Sequence, residues 1–347
     1  VPSPRAHTTA RAPVTRVGHP IPRWLPDRVI AALARRGLLA ATTLGGWSFV
    51  SIQERLFELR FEAAGLRAER FVLPSANLHV WHGGNAQGRP LLLLHGFGAD
   101  GLWGWVPQSA LARDHRLIVP DLAWFGRSEG TRGAWDTRDQ AAAMVELLDA
   151  LDVDEVDVAG ISYGGFVALE LAAGWSKRVR RLILIDSPGH TYTLDDYHDM
   201  LARLSLESVA DLVVPESARD VKRLVKLAWF RAPPVPSFVA RDVFAHMFQA
   251  HRDEKVRLLD ALLARAAKND PTSYHIPQRT LILWGDRDPL FPLPLAHRLA
   301  AAIGPEASVE VVRDASHAPN LEHPARFVKS IRAFLAAPEP ALARAAA

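Results

Sequence analysis

The sequence predicts an α/β protein: a mostly parallel central sheet flanked by helices, a helical block inserted before the strand at about residue 279, and a helical arm at the N-terminus. Three observations predict it. Short continuous apolar runs, among them "PLLLLHGFG" (90–98), "EVDVAGIS" (155–162) and "VRRLILIDSPG" (179–189), read as strands buried on both faces. Helical patterns alternate with these runs, which is the rhythm of a parallel sheet with crossover helices. Between Asp186 and Arg279 the alternation stops, and only helical patterns occur.

The bulk properties agree with a soluble globular protein that has a sizeable core. The chain has 347 residues, 49% hydrophobic and 23% charged. It has no cysteine, which excludes a disulfide framework, a thiolate nucleophile and a Cys-ligated metal. The net charge of +3 hides an asymmetry. Residues 1–36 carry seven arginines against the single acid Asp27, a net +6 that leaves −3 on the rest. A basic arm on a mildly acidic body argues against a nucleic-acid surface, and for a targeting element or a contact with anionic lipid.

In chain order, residues 1–22 are rich in Pro, Arg and Thr and show no apolar periodicity, so the reading there is disorder. Trp24 to Gly65 becomes helical. "GLLAATTLGGWSFVSI" (37–52) is sixteen residues long, shorter than the roughly 20 a bilayer crossing needs. "QERLFELRFEAAGL" (53–66) then places Leu56, Phe57, Leu59, Phe61 and Leu66 at near-helical spacing. Three readings compete for this region: helices packed on the body or a partner, helices in a membrane interface assisted by Arg35, Arg36 and Trp47, and an export signal. The first two leave a cytoplasmic protein, free or peripheral to the membrane.

From about residue 67 the body begins. "ERFVLPSANLHVWHGG" (69–84) reads as two strands about a Pro-Ser-Ala-Asn turn, and "HRLIVPDLAWFGRS" (115–128) as a further strand and its loop. "TRDQAAAMVELLDALDV" (137–153) and "YGGFVALELAAGW" (163–175) read as helices. After the helical block come the strand in "RTLILWGDRDPL" (279–290), a helix around 294–303, the strand in "SVEVVRD" (308–314) and a last helix near 322–336. The block contains "LDDYHDMLARLSL", "ARDVKRLVKLAWF", "FVARDVFAHMFQAH" and "DEKVRLLDALLARAA", separated by Pro-rich turns. The domain organisation expected is an arm at 1–66, a core at 67–189 and 278–347, and a cap at 190–277.

Ser162 stands out because Gly160 and Gly164 flank it, between a buried strand and a helix. A serine hydroxyl is a poor nucleophile at neutral pH; it needs a base, a group that orients the base, and donors for the oxyanion. His317 follows the last strand and is the histidine best placed to be the base. Asp286 and Asp288 follow the strand before it. The order Ser, Asp, His differs from that of other serine hydrolase folds. No metal-ligand spacing and no phosphate loop are present.

At these residues the chain resembles the α/β-hydrolase family. "LLLLHGFG" is similar to its oxyanion loop, "GISYGG" to its nucleophile elbow, "WGDRDPLFP" to its acid loop and "ASHAPNLEHP" to its histidine loop. "VPDLAWFGRSEG" resembles a further strand-end segment, but Trp124-Phe125 stand where a small residue is usual. The resemblance covers roughly residues 67–337. It implies Ser162 as nucleophile, His317 as base and acid, Asp288 as the acid member with Asp286 and Asp186 as alternatives, and the backbone N–H groups of Phe97 and Tyr163 as oxyanion donors. It further implies a cofactor-free carboxylic ester hydrolase, resembling monoacylglycerol-lipase-like and carboxylesterase-like members, with a small-molecule ester of apolar or lipid-like acyl group as substrate. A serine at this position argues against epoxide opening and halide displacement. Trp229, Phe238, Phe244 and Phe248 of the cap are candidates for an apolar pocket. Two alternatives stand beside this: a carbon–carbon bond hydrolase with the same triad, and a non-enzymatic ligand receptor.

Overall fold

Alternate residues of the central strands go to opposite faces of one sheet. The computed structural model describes residues 48–131, 135–268 and 275–338. Among them nine strands form the sheet: β1 (Leu66–Val72), β2 (Ala76–Gly84), β3 (Pro90–Leu94), β4 (Arg116–Pro120), β5 (Glu129–Gly130), β6 (Val156–Ile161), β7 (Val179–Ile185), β8 (Arg279–Gly285) and β9 (Ala307–Val312). The order is β1-β2-β4-β3-β6-β7-β8-β9, with β5 on β2. Strands β3, β4, β6, β7, β8 and β9 are mutually parallel, while β1, β2 and β5 pair antiparallel. Leu92, Leu94, Val158, Leu182, Leu184 and Ile282 pack on one face; Leu91, Leu93, Ala159, Ile183, Ile185 and Leu283 pack on the other. This two-residue period with burial on both sides is why these strands read as unbroken apolar runs.

Helices cover both faces. They are α1 (Phe49–Ala63), the short α2 (Gly101–Trp105), α3 (Thr137–Ala150), α4 (Tyr163–Gly174), α5 (Leu194–Leu204), α6 (Ala210–Val213), α7 (Ala218–Ala228), α8 (Ser237–Val243), α9 (Arg252–Ala266), α10 (Pro294–Ile303), α11 (Pro319–Glu322) and α12 (Pro324–Ala336). Helix α3 starts at a capping box in which Asp136 and Asp139 satisfy each other's backbone N–H groups. Helix α5 starts the same way with Thr193 and Asp196. A π-helical turn, Phe244–Phe248, continues α8. Thus the block between β7 and β8 is helical among its described residues, α5 to α9, as its periodicity predicts.

The compact unit that holds the sheet begins at Phe49. Helix α1 buries Val50 and Phe61, and the Phe61 ring meets Trp81 of β2 edge-on at 5.4 Å. Leu59, expected on the apolar face, is 44% exposed. The helix expected from Trp24 falls within the described residues only from Phe49 on, and the paired arginines and Trp47 lie outside them. Among the described residues no helix is long and apolar enough to cross a membrane.

Candidate active site

Ser162 sits where β6 becomes α4, at φ 52° and ψ −119°. A non-glycine residue at positive φ is strained and persists only where its surroundings hold it. Here the Ser162 N–H donates to the Ile185 carbonyl of the neighbouring strand at 2.8 Å. The chain around it is tight. A Cβ on Gly160 would lie 2.2 Å from the Gly164 carbonyl oxygen, and one on Gly164 would lie 2.3 Å from that of Leu94. The flanking glycines are therefore required by close backbone approach.

His317 follows β9. Its Nε2 lies 2.9 Å from Ser162 Oγ and its Nδ1 lies 2.8 Å from Asp288 Oδ2. With Nδ1–H donating to the carboxylate, Nε2 accepts the serine O–H. The other oxygen of Asp288 accepts the N–H groups of Leu290 at 2.8 Å and Phe291 at 3.1 Å, so the carboxylate is fixed from both sides. The Phe291 ring meets the His317 ring edge-on at 5.5 Å.

The structure separates the three candidate aspartates. Asp286 is partly exposed, accepts from Ala315 N–H at 3.4 Å and lies 3.8 Å from its neighbour Arg287. Asp186, at the end of β7, is fully buried and accepts from Gly285 N–H at 2.9 Å, while its Oδ2 has no hydrogen-bond partner. Burial, then the charge of Asp288, pushes its carboxyl well above the usual range. Only Asp288 touches His317.

The loop after β3 lies against Ser162: a Cβ on Gly96 would be 3.3 Å from the serine Cβ. Neither Phe97 N–H nor Tyr163 N–H donates a hydrogen bond among the described residues. The two side chains pack T-shaped at 5.2 Å, and Phe125 meets Phe97 at 5.0 Å. This accounts for Trp124-Phe125. Phe125 is buried against the Phe97 and Tyr163 rings, with the Lys255 ammonium of α9 5.5 Å above its ring. Trp124, at φ 73°, packs against Trp135 and His251. His95 is structural: its Nδ1 donates to Gly96 O, and its Nε2 accepts from Leu122 N–H at 3.0 Å. Asp121 holds the same loops, accepting from the N–H groups of Gly101 and Arg127.

Two apolar cavities meet at Ser162. The first, about 770 Å³ counting its open mouth, lies under α5 and α9 and is walled by Tyr192, Tyr197, Met200, Leu259, Leu262 and Phe291 among others. The second, about 1130 Å³ on the same basis, lies under α7, α8 and the π turn, with Trp103, Leu224, Val225, Trp229, Met247 and Phe248 in its wall. Phe97, Val213 and Leu290 line both, but His317 lines only the second. Of the four aromatic candidates, Trp229 and Phe248 face the second cavity. Phe244 packs instead against the small cluster of Val221, Ala240 and Phe248, and Phe238 lines neither cavity. The α5 and α9 wall was not singled out from the sequence. Its signal was the apolar face of "VRLLDALLARAA", which cannot say what that face meets. Arg265 of α9 reaches the first cavity, paired with the buried Glu170 at 2.6 Å and with Asp136 at 3.6 Å. His190 beside it is held neutral, its pKa lowered to about 3 by burial and then by Arg265. Arg223 and Arg231 of the insertion line neither cavity. No group of three or more His, Asp or Glu side chains that could hold a metal occurs among the described residues.

A turn-borne serine hydrogen-bonded to a histidine, itself held by a buried carboxylate at the C-terminal edge of a parallel sheet, defines a class of hydrolytic fold. Comparison with known proteins identifies the family. Residues 91–330 match the model of the alpha/beta hydrolase family, and the chain belongs to it. It is 31% identical over 284 residues to a 2-hydroxymuconate semialdehyde hydrolase of Pseudomonas sp. (strain CF600), covering 79% of this chain and 92% of that one. It is 26% identical over 310 residues to Lipase 1 of Psychrobacter immobilis, covering 88% and 95%. Among solved structures, a bacterial membrane phospholipase A superimposes with a TM-score of 0.71 at 24% identity, covering 89% of this chain and 98% of that one, a likeness of fold.

Proposed function

We propose that the protein is a serine hydrolase that cleaves carboxylic esters with apolar acyl groups through an acyl-enzyme intermediate. The observation that carries this reading is the unbroken relay Ser162–His317–Asp288, placed where two apolar cavities meet. As Ser162 Oγ bonds to the ester carbonyl carbon, its proton passes to His317 Nε2. Asp288 holds the imidazole in the required tautomer and stabilises the imidazolium. The oxyanion is held by the N–H groups of Phe97 and Tyr163, donors with no other acceptor among the described residues. The bond to the leaving oxygen then breaks, and that oxygen takes the proton from Nε2. In the second half water gives a proton to Nε2 and its oxygen to the acyl carbon. The carbon–Oγ bond breaks and the proton returns to Oγ. No cofactor enters these steps.

The carbon–carbon hydrolase among the relatives keeps a second reading in view, since the same relay serves both reactions. The cavity linings favour the ester. The one Lys or Arg among the described lining residues, Arg265, is already paired to Glu170 and Asp136, whereas an anionic dienol substrate calls for a cation of its own. The test is a fluorophosphonate probe with intact-mass readout, alongside turnover of p-nitrophenyl esters and of an aromatic ring-cleavage dienol. Labelling at Ser162 with ester turnover is expected. Turnover of the dienol alone would replace the ester reading, and absence of labelling would overturn the nucleophile.

A further inference from the structure

Helix α1 lies outside the residues that match the family model, yet it contacts structures on both sides of the second cavity. On the core side, Phe57 packs edge-on against Trp103 at 5.0 Å, and Trp103 lines the cavity. On the insertion side, the Val50 N–H donates to the Asp242 carboxylate of α8 at 2.8 Å. The residue after Asp242, Val243, lines the cavity, and so do Met247 and Phe248 of the π turn that continues α8. The helix is itself fixed to the core. Phe61 is buried against Trp81, and Glu58 pairs with Arg127 at 2.9 Å. So α1 is a brace between two walls that otherwise belong to different parts of the fold.

Which part of an ester enters this cavity follows from the proton path. The leaving oxygen takes its proton from His317 Nε2, and His317 lines the second cavity alone. The acyl group, which stays on Ser162, then belongs in the first. We infer that α1, through Phe57 and Val50, is a specificity element that sets the width of a leaving-group chamber for bulky apolar alcohols. This rests on the serine-esterase reading above. Phe57 and Asp242 are positioning residues. They act through Trp103 and through α8, and neither lines a cavity.

The test uses the full chain with two variants, Phe57→Ala and Asp242→Ala. Kinetics are measured on two ester series, one with fixed butyryl acyl and alcohols from methyl to naphthyl, the other with fixed p-nitrophenol and acyl chains of increasing length. In both variants the naphthyl-to-methyl ratio of kcat/KM should shift by about 10-fold or more, the change that one methylene makes in an apolar pocket. The acyl-length profile should stay within about 2-fold. Asp242→Asn keeps an acceptor for Val50 and should restore the wild-type ratio. His246→Ala controls for the contact of Asp242 with His246 at 3.1 Å. Hydrogen exchange read on the Asp242→Ala protein should quicken across Val243–Phe248 and stay unchanged in α5 and α9. Equal shifts in both series, or unchanged exchange at the π turn, would overturn the inference. Loss of labelling and of all ester turnover in the wild-type protein would instead overturn the esterase reading, leaving the exchange data to judge the brace.

Discussion

The parallel strands and the helices between β7 and β8 are held in opposite ways. In β3, β6, β7 and β8 nearly every side chain is buried, and Gly160 and Gly164 leave no room even for a methyl group. In the insertion each helix buries few residues. Helix α5 buries Met200, α7 buries Val221 and α8 buries Ala240, while most of their remaining apolar side chains are half-covered. The difference separates two kinds of precision. The strand end fixes one serine to within a hydrogen bond, and the helices provide an apolar enclosure that tolerates adjustment.

That contrast can be tested most severely at the strand end. Ser162→Ala should lower ester turnover on the order of 10⁴-fold or more, and Asp288→Asn by about 10⁴-fold, both with the thermal transition retained. Asp286→Asn should stay within a few-fold of wild type, because that side chain does not touch His317. A large loss there and a small one at Asp288 would move the acid to the other side of the loop.

Smaller effects separate core from enclosure. Leu184→Ala removes a fully buried β7 side chain and should lower stability by about 2–5 kcal/mol while leaving the acyl-length profile intact. Leu262→Ala, on the half-buried α9 wall of the first cavity, should do the reverse: less than half that loss and a shifted acyl-length optimum. Denaturant titration and chain-length kinetics on both proteins decide this. Equal stability losses would mean that the insertion is packed as tightly as the sheet.

The smallest effect concerns Asp186. Its folded-state carboxyl is raised, so above the unfolded pKa of about 3.9 the folded state binds the extra proton and stability falls as pH rises toward the folded value. Asn keeps the acceptor for Gly285 N–H and cannot ionise. Asp186→Asn should therefore gain thermal stability relative to wild type at pH 8 over pH 5, with turnover within a few-fold. A pH-independent difference would show that Asp186 titrates normally.

Much of this was legible in the sequence, for physical reasons that differ by element. Strands β3, β6, β7 and β8 announce themselves because burial on both faces demands unbroken apolar runs. Ser162, Asp288 and His317, widely separated in the chain, are brought into contact because turn glycines and strand ends mark their places. The two residues of β5 carry no signal, since they pair with β2 only through tertiary approach. The cavity walls were only half legible. Helical periodicity says that Phe244 and Trp229 belong to apolar faces, but neighbouring helices decide that one packs inward on Phe248 and the other faces the cavity. The basic charge of residues 1–36 set the reading of the whole N-terminal stretch, although α1 from Phe49 onward belongs to the compact body.

The block from α5 to α9 leaves β7 and returns on β8, and these two strands are hydrogen-bonded neighbours in register from Arg181↔Arg279 to Ile185↔Leu283. One continuous length of gene therefore encodes about half of the lining of the two cavities, while Ser162, Asp288 and His317 are encoded on either side of it. Because the block enters and leaves between two paired strands, its length is not set by the register of the sheet that carries Ser162.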